Sequence, residues 1–80
     1  MEKSKVNVKS KCYMKKTYDV HFNSDSNSSS KGFHESYKYC KEYIDFNNGT
    51  NESYFEDYKG GVVSIFCNET EEYVYDETIY

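Results

Sequence analysis

Residues 5–22 alternate between apolar and polar side chains, which is the period of a β-strand with one buried face. At about 3.3 Å per residue this segment would exceed the width of a small sheet, so it predicts either one bent strand or an arm followed by a strand. We expect the strand at about residues 12–23 and a lysine-rich arm, flexible or strand-extending, at 1–11. The apolar side chains occupy even positions: Val6, Val8, Cys12, Met14, Tyr18, Val20 and Phe22.

Turn and helix signals divide the rest of the chain. The cluster NSDSNSSS at 23–30 predicts a turn that returns a short strand, about 28–34, beside the first. A helix is predicted next, with Ser36 as N-cap and Asn-Asn-Gly at 47–49 as its end. After a connection at 50–61, residues 62–67 and 72–79 predict an antiparallel hairpin. The expected fold is α+β, in the order β-β-α-β-β, with one antiparallel sheet packed on a single helix in one small domain spanning 1–80.

The predicted helix carries two apolar stripes. Tyr37, Cys40 and Ile44 form the first, and Tyr39, Tyr43 and Phe46 form a second. The stripes lie about 110° apart at 100° per residue. One helix on one sheet needs a single stripe, so the second either widens the buried face or forms a second interface for a partner.

Charge is divided unequally along the chain. Residues 1–16 hold six lysines and one acid, whereas the remaining residues hold four lysines and thirteen acids. This acidic balance argues against direct binding of nucleic acid, because phosphate contacts need a basic surface. The lysine-rich start is more typical of a solvated strand face.

Acidic and aromatic side chains are interleaved in residues 52–80. Such a surface can compete for a basic groove that normally holds nucleic acid, because charge speeds encounter and the rings supply desolvated contacts. The alternative is that the acids only keep a small protein soluble. The candidate partner-binding residues are Glu52, Tyr54, Glu56, Asp57 and Tyr58 in the connection, and Glu71, Glu72, Asp76 and Glu77 on the last hairpin.

No pattern predicts catalysis, a metal or a cofactor. The three cysteines, at 12, 40 and 67, lack the short ligand spacing of structural zinc sites and are expected to be reduced and buried. Cys40 and His34 lack a nucleophile elbow. The paired carboxylates at 56–57, 71–72 and 76–77 are sequence neighbours, which point to opposite faces of a strand. We therefore expect no enzyme activity.

The stretch NNGTNESYFEDYKGGVVSIFCNETEEYVYDETI, at 47–79, resembles a recurrent ending of short proteins from Firmicute phages and mobile elements. In that ending a helix stops at Asn-Asn-Gly, and an S-Y-F-x-D-Y-K-G-G run leads into a last hairpin. Such proteins are similar to the pool from which anti-CRISPR inhibitors of Cas nucleases are drawn. The pattern brings no catalytic residues. Glu71 stands where the family usually has Gly in a Thr-Gly-Glu turn, so a left-handed position is expected to hold a costlier residue.

The surface character and the resemblance predict a small cytoplasmic inhibitor, of phage or mobile-element origin. Its expected partner is a bacterial host protein, a Cas nuclease or another basic nucleic-acid-binding protein. The alternative is a self-associating structural module, in which strand 72–79 or the second stripe of the helix pairs two copies. A third possibility is a nucleic-acid contact through the lysine-rich arm. No membrane contact is expected, because no stretch approaches membrane-spanning length.

Overall fold

The computed structural model describes residues 16–80 and contains four strands and two helices. The strands form one antiparallel sheet in the order β2-β1-β3-β4, which confirms the α+β class and the final hairpin. The elements are β1 (Tyr18–Asn23), β2 (Ser28–Glu35), α1 (Tyr37–Asn47), α2 (Ser53–Asp57), β3 (Val62–Cys67) and β4 (Glu72–Thr78).

The expectation of a single helix is wrong. Residues 53–57, expected to be part of a connection, form the short helix α2, which follows the extended residue Glu52. Its central side chain, Phe55, is fully buried, with its ring centroid 5.0 Å from that of Phe22 and 5.6 Å from that of Tyr43. The helical turn therefore closes one end of the core, which an extended connection would leave open.

Three strand boundaries differ from those expected. In the described part of the predicted strand 12–23, residues 16 and 17 lie outside β1, which begins at Tyr18. Residues 12–15 and the predicted arm at 1–11 lie outside the described residues. Strand β2 extends one residue further than predicted, to Glu35, and β4 ends one residue earlier, at Thr78.

The core lies between α1 and one face of the two central strands. Opposed residues of an antiparallel pair share a face. The register sets Val20 opposite Ile65 and Phe22 opposite Val63, all four fully buried. Burial of each such side chain contributes about 1.5–3 kcal/mol. The helices add Cys40, Ile44 and Phe55 to the same cluster.

Hydrogen bonds cap the start of α1 and join its end to the sheet. The Ser36 hydroxyl accepts from the Tyr39 backbone N–H at 3.0 Å, which confirms the predicted N-cap. At the other end, the Asn48 side chain donates to the Thr78 carbonyl oxygen at 2.9 Å and accepts from the Tyr80 N–H at 3.0 Å. Asn48 therefore joins the end of α1 to the end of β4.

The turn between β3 and β4 holds Glu71 in the left-handed region, at φ 58°. Its N–H donates to the Cys67 carbonyl oxygen at 2.8 Å and closes the loop, and Cys67 then pairs with Glu72. The predicted left-handed position is confirmed. Because a side chain at positive φ costs roughly 1–2 kcal/mol, this turn stores strain that glycine would avoid.

Candidate functional site

The sheet has one face covered by the helices and one face that neither helix covers. Both α1 and α2 contribute to the core on the first face. We call the second the open face. Its positions follow from the registers and form three rows across β1, β3 and β4: Asp19, Phe66 and Tyr73; His21, Ser64 and Asp76; Asn23, Val62 and Thr78.

The structure divides the predicted acidic surface into two groups. Glu56 and Asp57 are exposed on α2, near the start of β3. Glu71 and Glu72 are exposed at the far end of β3, in and beside the turn. Six residues of strand separate the two ends, a distance of about 20 Å. Asp76, which opposes Ser64 in β3, lies between these two groups.

Tyr58 is a core residue, which corrects its assignment to the partner-binding surface. It is only 8% exposed, its ring centroid lies 5.9 Å from that of Phe22, and its hydroxyl is hydrogen-bonded to the Ser29 hydroxyl at 2.7 Å. Tyr54 is half-buried, 5.2 Å from the Phe22 ring, and the Lys31 ammonium lies 5.0 Å from the Tyr54 ring centroid. Because a tyrosine suits both core and surface, sequence position alone does not distinguish these roles.

Two of the predicted carboxylates are half-buried and hydrogen-bonded within the fold. Glu77 accepts from the Asn48 side-chain amide at 2.6 Å and from the Tyr75 hydroxyl, which raises the pKa of Tyr75. Glu52 accepts from the Tyr43 hydroxyl at 3.4 Å. Burial, and after it this carboxylate, raises the pKa of Tyr43. Glu77 therefore joins β4 to the end of α1, and Glu52 joins the start of α2 to α1.

The β3–β4 hairpin presents the other acids beside an aromatic ring. Glu71, Glu72 and Asp76 are exposed, and Tyr73 is 56% exposed. Within residues 16–80, the lysine ion pairs join Lys38 to Glu42 and Lys41 to Asp45, and His34 Nδ1 lies 3.4 Å from the Asp19 carboxylate, so none of these contacts neutralises the hairpin acids. We call Glu71, Glu72, Tyr73 and Asp76 the acidic hairpin.

A histidine and two aromatic rings, which the sequence analysis did not single out, form a cluster on the open face. The His21 ring is stacked on Phe66, with centroids 4.8 Å apart and planes at 17°. Tyr73 meets both rings at steep angles, with centroids 5.4 Å from His21 and 5.1 Å from Phe66. The Tyr73 hydroxyl lies 2.9 Å from His21 Nδ1. Burial lowers the pKa of His21, against the smaller, raising effect of Asp19.

A β-bulge places Tyr73 in this cluster. Ile65 pairs with Tyr75, but Phe66 pairs with Tyr73, so β4 has one extra residue between the two pairs. In a regular ladder Tyr73 would oppose Cys67, on the face that α1 covers. The bulge therefore moves the ring to the open face. No signal in the sequence marks its position.

The second aromatic stripe of α1 is divided between the core and the surface. Tyr43 is half-buried and packs on Phe33 at 5.0 Å, so it widens the core face. Tyr39 and Phe46 remain 46% and 84% exposed. The stripe borders an open depression of about 580 Å³ lined by Tyr39, Glu42, Tyr43, Asp45, Phe46 and Asn47. We call this the α1 outer face.

Cys40 and Cys67 are buried and form no disulfide, as predicted. Cys12 lies outside the described residues. Burial, aided by Asp19 and Glu35, raises the pKa of Cys40 to about 11, so the thiol is protonated at neutral pH and a poor nucleophile. Among residues 16–80, no group of three or more His, Cys, Asp and Glu side chains is arranged to hold a metal ion.

No protein family, curated protein or solved structure matches the chain. Neither helix in the described part of the chain is long and apolar enough to cross a membrane. The function is therefore inferred from the exposed residues themselves.

Proposed function

We propose that the chain is a small inhibitor of phage or mobile-element origin that acts in the cytoplasm of a bacterial host. Its target is a nucleic-acid-handling defence protein, with a Cas nuclease as the leading class. The observation that carries the proposal is the acidic hairpin, in which three exposed carboxylates surround an exposed tyrosine and no described residue neutralises them.

The acids of the hairpin approach Tyr73 from different directions. Asp76 opposes Ser64 on the open face, Glu72 opposes Cys67 on the other face, and Glu71 lies in the turn. Residues 16–80 hold thirteen acids against five lysines, so the long-range field of this part of the chain is also negative. Such a field speeds encounter with a basic surface, while Tyr73 provides contact area at low entropic cost.

The resemblance of residues 47–79 to phage-encoded hairpin endings supports the proposed origin. The acids of the other group, on α2, form an alternative contact surface with Glu52 and Tyr54 beside them. That second group has a less favourable composition, because the two tyrosines near it, Tyr54 and Tyr58, are half-buried and buried.

The test is DNA cleavage by a guide-loaded Cas nuclease from a low-GC Firmicute. We expect the protein to inhibit cleavage when it is added before the target DNA, and to inhibit much less when DNA is bound first, because both occupy one basic surface. Unchanged cleavage in both orders of addition, across nucleases of the main Cas classes, contradicts the proposal.

Self-association through the α1 outer face is the second candidate function. Phe46 is the most exposed large apolar side chain in the described part of the chain. The neighbouring charges pair on the helix itself, Lys38 with Glu42 at 3.5 Å and Lys41 with Asp45 at 2.7 Å. Two copies would therefore meet there with little repulsion, whereas the edge strand β4 carries the acids that oppose edge pairing.

Light scattering across a range of protein concentrations tests self-association. A mass that rises with concentration, and that Phe46→Ser abolishes while Tyr80→Ser does not, supports this candidate. Tyr80 is the matched control because it is 71% exposed and does not line the depression beside the stripe. A mass that stays at the monomer value at all concentrations excludes self-association.

A further inference from the structure

The open face places an exposed aromatic ring next to a carboxylate. Tyr73 opposes Phe66, and Asp76 opposes Ser64. Phe66 and Ser64 are two residues apart on β3 and share a face, so the Tyr73 and Asp76 positions lie about 6–7 Å apart on that face. One long side chain from a partner can therefore reach both.

The tyrosine ring is held in place before any partner arrives. The hydrogen bond between its hydroxyl and His21 Nδ1 spans the width of β3, and the ring also packs edge-on against Phe66. Even so, 56% of the side chain remains exposed. A ring fixed in this way loses little rotamer freedom on binding, which favours contact on its outer side.

The charge of the open face selects the chemistry of the occupant. None of the nine positions in its three rows is a lysine. Two of the rows continue onto β2, where they end in Ser28 and Ser30. Lys31 pairs with Val20 and lies over the Tyr54 ring, on the helix-covered side. A phosphate would therefore meet Asp76 with no described cation nearby, and an apolar partner would bury that carboxylate unpaired.

We infer that the open face is a docking surface for an arginine side chain of a basic protein partner, with the guanidinium over the Tyr73 ring and paired with the Asp76 carboxylate. A guanidinium stacks flat on an aromatic ring and donates two parallel hydrogen bonds to a carboxylate, which the compact lysine ammonium cannot do. This inference rests on the proposed function, since it names the contact by which the acidic hairpin would hold its target.

The test is an NMR titration of the full chain, labelled with ¹⁵N and ¹³C, with a short arginine-rich peptide and with a lysine peptide of equal charge. We expect the arginine peptide to bind several-fold more tightly and to shift the signals of His21, Phe66 and Tyr73. Tyr73→Leu and Asp76→Asn should each weaken that binding about threefold to fivefold, the scale of an exposed cation–π contact. The matched controls, Tyr80→Leu and Asp25→Asn, change an exposed ring and an exposed carboxylate in the β1–β2 turn, and should leave it unchanged.

Several results would overturn the inference. One is equal affinity for the two peptides, and another is equal weakening by Tyr73→Leu and Tyr80→Leu, since both indicate non-specific attraction. NMR shifts confined to Glu56, Asp57 or the turn would place the contact away from the open face. The proposed inhibitory function would then still stand. Tighter binding of a single-stranded oligonucleotide than of the peptide would identify the cluster as a base-stacking platform instead. Since the titration uses no nuclease, its outcome is separate from that of the cleavage assay.

Discussion

His21 Nδ1 and the Tyr73 hydroxyl lie 2.9 Å apart and connect β1 to β4 above β3. It adds a side-chain link between the β1–β2 and β3–β4 hairpins, which the backbone ladder between β1 and β3 already joins. Because Tyr73 is more than half exposed, water competes for its hydroxyl, and the hydrogen bond should contribute at the low end of the usual range.

We predict that Tyr73→Phe, which keeps the ring and removes the hydroxyl, lowers the free energy of unfolding by about 0.5 kcal/mol. Urea denaturation followed by circular dichroism measures the change. Tyr80→Phe removes a hydroxyl from another exposed tyrosine and should have no effect. Equal midpoints for the two variants would show that the contact adds nothing to stability.

The free energy of unfolding should depend on His21 below neutral pH. Burial lowers the pKa of His21 in the folded protein below 6.5, so the unfolded chain takes up this proton at a higher pH than the folded one. The contribution of neutral His21 to the free energy of unfolding is therefore complete above about pH 6.5. It falls as the pH decreases from about 6.5 to the pKa of His21 in the folded protein, and it is constant at lower pH.

The matched variant is His21→Gln, which does not titrate in this range. Between about pH 7.5 and about pH 5.5, urea denaturation should show a larger loss of stability for the wild type than for His21→Gln. Groups other than His21 titrate in both proteins, so their contributions cancel when the two losses of stability are compared. A larger loss in the variant, or an NMR titration that places the pKa of His21 above 6.5, would contradict the prediction.

Local signals were sufficient for most elements of this fold. Residues 62–67 are bounded by glycines and a turn, and Ser36 precedes a clear helical stripe, so β3 and α1 were predicted correctly. The helix α2 was missed because five residues are too few to show helical periodicity. Its burial depends on Phe55 meeting Phe22, a contact between distant segments that local patterns do not contain.

The functional surface was less predictable than the fold. Exposure of Glu71, Glu72 and Asp76 follows from their charge, and the structure agrees. The separation of Glu71 and Glu72 from the acids of α2 follows from the direction of β3 in the sheet, which composition does not record. The cluster on the open face depends on the bulge, and that irregularity belongs to the pairing of two strands and has no single-residue signature.

Glu71→Gly should stabilise the protein. Glycine adopts the φ of 58° without the steric cost of a side chain, although part of that gain is lost because glycine makes the unfolded chain more flexible. We expect a net gain of about 0.5–1 kcal/mol, which corresponds to a rise of a few degrees in melting temperature for a domain of this size.

The control for this change is Glu72→Gly, one residue further on. Glu72 is also exposed but lies in β4, outside the left-handed region. Glycine there should lower the melting temperature, because it loses more conformational freedom on folding than glutamate. If both variants shifted the melting temperature in the same direction, the left-handed conformation would not be the source of strain.

Phe55 and Phe46 form a matched pair for the role of α2. Phe55→Ala removes a fully buried ring and should cost about 3–5 kcal/mol, comparable to the whole stability of a domain this small. Phe46→Ala removes a ring that is 84% exposed and should change stability by less than about 0.5 kcal/mol. Thermal denaturation of both variants measures the difference. A folded Phe55→Ala variant of near wild-type stability would exclude a core role for α2.

The most direct test of the proposed function compares two charge reversals in binding to a guide-loaded Cas nuclease that the wild-type protein inhibits. Glu71→Lys with Asp76→Lys changes the acidic hairpin, and Glu56→Lys with Asp57→Lys makes the same change in net charge on α2. We predict that the hairpin variant binds at least about tenfold more weakly than the wild type. The α2 variant should lose only the smaller part of the affinity that comes from net charge and that added salt screens. A hairpin variant that binds as tightly as the wild type would contradict an inhibitor that acts through this surface.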